Sequence, residues 1–137
     1  MPFYPDTATF AKVMTDLFGR VLARPELARQ LQESKSVLRI HVTDPDYSIV
    51  VDARSTPMRF VHGGENLKAD TGIRLSADTL HAIWLGHIRL REAYGGGRVK
   101  VEGNPLTAVP RLLRFADLFR TAERLYPQVL REHGMLQ

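Results

Sequence analysis

The segment from Asp70 to Asn104 constrains this chain most, because its periodicity changes twice over a short distance. Thr71, Ile73 and Leu75 alternate with their neighbours, as one face of a half-buried strand does. Ser76 then offers an N-cap, Asp78 places negative charge at the positive end of a helix macrodipole, and Leu80, Ile83, Trp84 and His87 recur on one face. The spacing predicts a helix that ends near Gly86 and carries the only Trp. A second short run from Ile88 to Tyr94 puts Leu90 and Tyr94 four residues apart before three glycines stop it. Arg98, Lys100 and Glu102 next alternate with Val99 and Val101. The segment therefore reads strand, helix, turn, helix, strand.

The flanking sequence extends the same logic. Phe10, Val13, Met14, Leu17, Phe18, Val21 and Leu22 follow helical spacing, with Asp6 or Thr7 as cap. Pro25 interrupts that helix and opens another as its first residue, with Leu27 and Leu31 facing inward. The two helices occupy about residues 6–33. Strands fill about 37–75: Leu38, Ile40 and Val42 alternate with Arg39 and His41; Ile49 and Val51 oppose Ser48 and Asp52; Met58, Phe60 and His62 oppose Arg59 and Val61. Turns are expected at Asp44-Pro45-Asp46, at Ser55-Thr56-Pro57, and at Gly63, Gly64 and Asn66. Arg39, Arg59, Arg74, Lys100, Asp52, Asp70 and Glu102 should share a solvated sheet face with cross-strand ion pairs.

Helices are expected again over about 76–95, a strand over about 98–102, and further helices over about 105–133. Asn104 can cap a turn with Pro105 at its first position, and Pro110 should break or restart the helix. Val109, Leu112, Leu113, Phe115, Ala116, Leu118, Phe119 and Ala122 form an unusually wide apolar surface for one helix. A short amphipathic piece with Val129 and Leu130 follows Pro127 and ends at Gly134. The expectation is a single α+β domain over 1–137, with a five-stranded, mostly antiparallel or mixed sheet covered on one face by helices.

Composition narrows the function. A chain of 137 residues can bury a real core, and the absence of Cys removes disulfide and thiolate chemistry. The first residues lack a basic region followed by an apolar one, and no apolar run approaches a bilayer span, so a cytoplasmic location is expected. The net charge of +4 is spread from Lys12 to Arg131 rather than gathered on one element, which argues against nucleic-acid binding.

Catalytic and metal signals are weak. His81 and His87 are six residues apart and do not stack as metal ligands on one helix face; with His62 and His133 they read as hydrogen-bonded structural histidines. No Ser occupies a Gly-x-Ser-x-Gly elbow. Gly95-Gly96-Gly97 leads into a strand, not a helix, so it reads as a tight reversal rather than a phosphate loop. The helix start at Gly103-Asn104-Pro105 is an ordinary capped terminus. What remains is apolar volume, which sheet and helices can close either as a solid core or as a cleft.

Ile73-Arg74-Leu75, Leu80 to Gly86, Ala93-Tyr94 and Gly97-Arg98-Val99-Lys100-Val101-Glu102-Gly103-Asn104 together resemble the sterol carrier protein-2 family. The close likeness covers about a quarter of the chain, and a looser order of elements covers most of the rest. The resemblance implies lipid held in a tunnel between a five-stranded sheet and the helices on one side of it, with fatty acids, fatty acyl-CoAs, sterols or phospholipids as ligands and a C-terminal gate. Residues expected to line such a tunnel are Phe60, Ile73, Leu80, Ile83, Trp84, Ile88, Phe115, Leu118 and Phe119. The long amphipathic N-terminal helix and the tail around Pro127 depart from better-known members. The expectation is a non-enzymatic lipid carrier without cofactor or metal, whose partner is a small hydrophobic ligand. Membrane contact would be transient at most, and a homo-oligomer is left open. The alternative is an accessory module that presents a lipid to an enzyme or partner protein.

Overall fold

The computed structural model describes residues 2–55, 57–62 and 68–136. Helices α1 (Thr7–Leu22) and α2 (Pro25–Ser34) precede strands β1 (Val37–Thr43), β2 (Tyr47–Asp52) and β3 (Arg59–His62). Then come β4 (Thr71–Ser76), α3 (Ala77–Trp84), α4 (Leu90–Gly95), β5 (Val99–Glu102), α5 (Pro105–Leu112), a 3₁₀ turn (Leu113–Phe115) and α6 (Ala116–Glu132). Thr56 and the connection expected at Gly63, Gly64 and Asn66 lie outside the described residues.

The strands form one mixed sheet in the order β3-β2-β1-β4-β5, so the fold is the α+β arrangement expected. Only β1 and β4 run parallel; the other neighbours are antiparallel. The Asp70 carboxylate accepts from the Val37 amide at 2.8 Å and the Asp70 amide donates back to the Val37 carbonyl at 2.9 Å, which closes the start of the parallel pair.

Register divides the sheet into two faces. Leu38, Ile40, Val42, Ile49, Val51, Ile73, Leu75 and Val99 join the helices in one buried cluster. Arg39, Arg59, Arg74, Lys100, Asp52 and Glu102 occupy the opposite face. Asp52 and Arg59 sit directly across from one another and pair at 3.2 Å. Burial pushes the Asp52 carboxyl up, but hydrogen bonds from Ser55, Arg59 and the Arg54 amide outweigh it and hold it below the usual range. This face is less wet than expected, since Val37 and Val50 are fully buried on it. Val50 lies between Arg39 on β1 and Val61 on β3, and an arginine stem can cover an aliphatic neighbour while its head stays polar.

The helix starts follow their sequence signals. The side chains of Asp6, Ser76 and Asn104 accept from the backbone of Thr9, Thr79 and Leu106, and Pro25 and Pro105 open α2 and α5. The C-terminal region differs from expectation in two places. Pro110 lies inside α5, and the helix gives way to the 3₁₀ turn only at Leu113. The bond that Pro110 cannot donate would have gone to the carbonyl of Leu106, a residue 84% exposed, so its loss falls at a solvent-accessible turn of the helix. Pro127 likewise lies inside α6, so Val129 and Leu130 continue that helix instead of forming a separate piece. The wide apolar surface is therefore divided among α5, the turn and α6, and Leu113 points away from the core.

Helix α1 packs over the β2–β3 side of the sheet and alongside α6, with Phe10, Val13, Met14, Leu17, Phe18 and Val21 fully buried. Phe18 stacks on Phe60 of β3 at 4.8 Å and meets the edge of Trp84 of α3 at 5.9 Å. Replacing Phe18 with Ala should cost about 3–5 kcal/mol, read as a lower urea midpoint with unchanged m-value.

Candidate functional site

The wall that carries Trp84 is set by how α3 ends. Gly86 adopts φ +79°, its amide donates to the Ile83 carbonyl at 3.0 Å, and the His87 amide donates to the Ala82 carbonyl at 2.9 Å. A left-handed residue closing a helix in this way favours glycine. The reversal brings Ile88 and Leu90 alongside Ile83 and Trp84. The opposing wall is fixed by Thr71, whose hydroxyl donates to the Ala108 carbonyl at 2.9 Å and ties α5 to β4.

Between these walls runs an apolar groove of about 620 Å³. Ile83, Trp84, Ile88 and Leu90 form one side; Val109, Leu112, Leu113, Ala116 and Phe119 form the other. Among the described residues Arg89, Arg120 and Glu123 are the charged ones along it, and the lining includes no His, Ser, Thr or Cys. Arg120 and Glu123 also border a polar cleft of about 750 Å³ between the start of α2 and the start of α6. The groove can thus offer apolar contact along most of its length and charge at one margin.

Of the residues expected to line a tunnel, Ile83, Trp84, Ile88 and Phe119 meet in this groove. Ile73, Leu80, Phe115 and Leu118 are buried in the core cluster, and Phe60 lies at its sheet edge against Phe18. All lining residues belong to helices, the 3₁₀ turn or the α3–α4 connection. The hollow therefore lies between helices, not between helices and sheet, because Phe10, Phe18, Trp84 and Tyr126 fill the interior. Leu90, Val109, Leu112, Leu113 and Ala116 are lining residues absent from the expected set. The apolar excess of the stretch from Val109 to Ala116 was a signal, but which side of it faces Trp84 was not legible.

A buried polar chain supports Trp84 from behind. The hydroxyls of Tyr4 and Tyr126 hydrogen-bond to one another, and Tyr126 also meets His81 Nδ1 at 2.7 Å. The Phe3 ring stacks on His81 at 3.7 Å, and the Phe3 amide donates to Asp78 Oδ1 at 2.9 Å. Tyr126 packs against Trp84 at 5.4 Å. Trp84 Nε1 is buried with no hydrogen-bond partner among the described residues. Burial raises the phenols of Tyr4 and Tyr126 and lowers the imidazole of His81. Burial also lowers His62, which meets the Thr15 hydroxyl at 3.0 Å, while His133 meets Asp16 at 3.0 Å. Among the described residues no group of three side chains could hold a metal ion, and no helix is long and apolar enough to cross a membrane.

The chain is thus an α+β protein with a helix-covered mixed sheet and an apolar groove among its helices, and comparison with known proteins gives its family. The model of the SCP-2 sterol transfer family matches residues 17–109, and the chain belongs to that family. Its fold is similar to the solution structure of sterol carrier protein domain 2 of Helicoverpa armigera, at 18% identity over 84% of this chain and 88% of that one, with a TM-score of 0.64. It is also similar to apo sterol carrier protein 2 from Yarrowia lipolytica, at 19% identity over 80% and 89% of the two chains, with a TM-score of 0.58. UbiJ-SCP2, a ubiquinone synthesis protein, matches at 20% identity over 90% of this chain and 96% of that one, also with a TM-score of 0.58. No curated protein matches the chain.

Two measurements probe the polar chain. Tyr126→Phe strands the Tyr4 hydroxyl and His81 and should cost about 1–3 kcal/mol in urea unfolding. His81 and His62 are depressed when folded, so the unfolded chain binds protons first as pH falls below the ordinary value of 6.5. Stability should therefore fall on acidification below that pH, and His81→Asn should flatten the slope.

Proposed function

We propose that this protein binds the alkyl part of a lipid in the groove between the α3–α4 connection and α5–α6 and carries it without chemical change. The observation that supports this reading is the groove itself, whose volume of about 620 Å³ falls in the range of small-molecule sites. At about 0.8 kcal/mol per methylene, about a dozen buried methylenes supply roughly 10 kcal/mol before association and ordering costs. Hydrophobic burial has no direction, so selectivity among alkyl chains should be broad. Ile83, Trp84, Ile88 and Phe119 are the tail contacts in this reading, and Arg120 and Glu123 stand where the groove meets the polar cleft. Ile73, Leu80, Phe60, Phe115 and Leu118 act one layer behind, as the packing that holds the walls.

An accessory role in an enzyme system is the second reading. It is favoured by the likeness to UbiJ-SCP2 over nearly the whole of both chains. In that role the same groove presents a lipid to a partner instead of releasing it to a membrane.

Titration with a brominated fatty acid below its micelle concentration should quench Trp84 emission to saturation, because the indole forms part of the wall. Ile88→Arg should abolish quenching while the unfolding free energy in urea stays within about 1 kcal/mol of the parent. A wild-type protein whose emission does not respond, and whose organic extract contains no lipid by mass spectrometry, would overturn the binding reading. A lipid-loaded protein that fails to deliver lipid between vesicle populations would favour the accessory role.

A further inference from the structure

The chain before α1 is fastened to the rear of the groove wall. The Phe3 ring lies on His81 at 3.7 Å, the Phe3 amide donates to Asp78 Oδ1 at 2.9 Å, and Tyr4 meets Phe10 edge-on at 4.8 Å. Tyr4 is 2% exposed and Tyr126 fully buried, so solvent offers little to their hydroxyls. Trp84, on which Tyr126 packs, lines the groove, whereas Tyr4, His81 and Tyr126 do not. His81 therefore stands where the N-terminal segment, α3 and α6 meet, one residue removed from the ligand wall.

Counting protons along this chain shows what its end controls. Each phenol has one proton to donate. With His81 Nδ1 unprotonated, Tyr4 donates to Tyr126 and Tyr126 donates to Nδ1, so both protons are placed. A proton on Nδ1 reverses that end: the imidazolium donates to Tyr126, and one phenolic proton is left without an acceptor among the described residues. A buried donor left unmade costs more than the bond itself contributes. The titratable groups facing His81 are Asp78 from its own helix, His87 from the α3–α4 connection, Tyr126 from α6 and Tyr4 from the N-terminal segment. Burial lowers the imidazole, the Asp78 carboxylate pulls it up and His87 pushes it down, and the lowering wins. Burial keeps both phenols protonated throughout.

We propose that His81 is an acid-released latch: its protonation frees Tyr4 and Phe3 from α6 and α3, withdraws Tyr126 from behind Trp84 and loosens the hold of the groove on its ligand. The latch rests on the reading of the groove as a lipid site and supplies that site with a control. His81 acts through Tyr126 and Trp84 and touches no ligand, so it is a positioning residue. Once the latch opens, the imidazole returns toward its ordinary value of 6.5, and the open form takes up the proton first. Affinity is therefore full above that pH and falls on acidification below it, by no more than about tenfold per pH unit for one proton.

The test is quenching of Trp84 by a brominated fatty alcohol, whose headgroup does not titrate, at roughly pH 7.5 and roughly pH 5, with far-UV circular dichroism at each. The wild-type dissociation constant should rise about tenfold on acidification while the dichroism stays unchanged. His81→Asn keeps an acceptor for Tyr126 but takes up no proton, so it should bind like the wild type at the higher pH and show no rise at the lower. His62→Asn removes the other imidazole lowered by burial and should leave the rise intact. Wild-type quenching that is equal at both pH values, or a rise that persists in His81→Asn or vanishes in His62→Asn, would overturn the latch and leave the lipid site standing. A rise that comes with loss of the far-UV signal would overturn it as well, by assigning the effect to unfolding of the whole chain. Absence of quenching at either pH would instead overturn the lipid site, and the latch with it.

Discussion

Everything in this structure depends on the buried stripe of α1, which packs over the β2–β3 side of the sheet and alongside α6. Its six fully buried side chains leave little room for a tunnel above the strands, and Phe18 closes the remaining gap by stacking on Phe60 and meeting Trp84. With that layer solid, the apolar groove among the described residues lies where helices meet helices. The groove lies there, its walls set by the glycine reversal after α3 and by the break that separates α5 from α6. Family membership gives the chain its sheet and helix order, and its own aromatic residues decide where a hollow remains.

Local chemistry made much of the fold legible. A capping side chain acts within three residues of its own position, and alternation reports which strand face is apolar, so Asp6, Ser76, Asn104, Pro25 and the inward residues of β1, β2 and β4 could be read directly. Pro110 and Pro127 misled because a proline forbids only one donor and one close contact. The helices run through them, and at Pro110 the lost bond falls at a solvent-accessible turn. The buried face of α2 was correctly read from two leucines, whereas the far side of the sheet hid Val50, whose cover comes from neighbouring strands and not from its own.

The groove was half legible for a related reason. Periodicity separates buried positions from exposed ones, but an apolar wall and an apolar core demand the same residue types. Ile83, Trp84, Ile88 and Phe119 could therefore not be told apart from Leu80 and Leu118 by sequence; only the placement of α5 and α6 opposite the α3–α4 connection separates them. The Tyr4–Tyr126 bond joins residues 122 positions apart. Nothing local announces such a pairing.

The packing of α1 on α6 also bears on how the chain is made. Helix α1 leaves the ribosome with six buried-to-be apolar side chains well before α6, against which it packs, and the parallel β1–β4 pair must wait for two intervening strands. Long-range closures of this kind slow folding and leave greasy surface uncovered in the meantime. During synthesis the nascent chain must therefore keep α1 shielded by transient contacts or by a chaperone until α6 arrives, which makes vectorial folding from the N-terminus a poor route to this architecture.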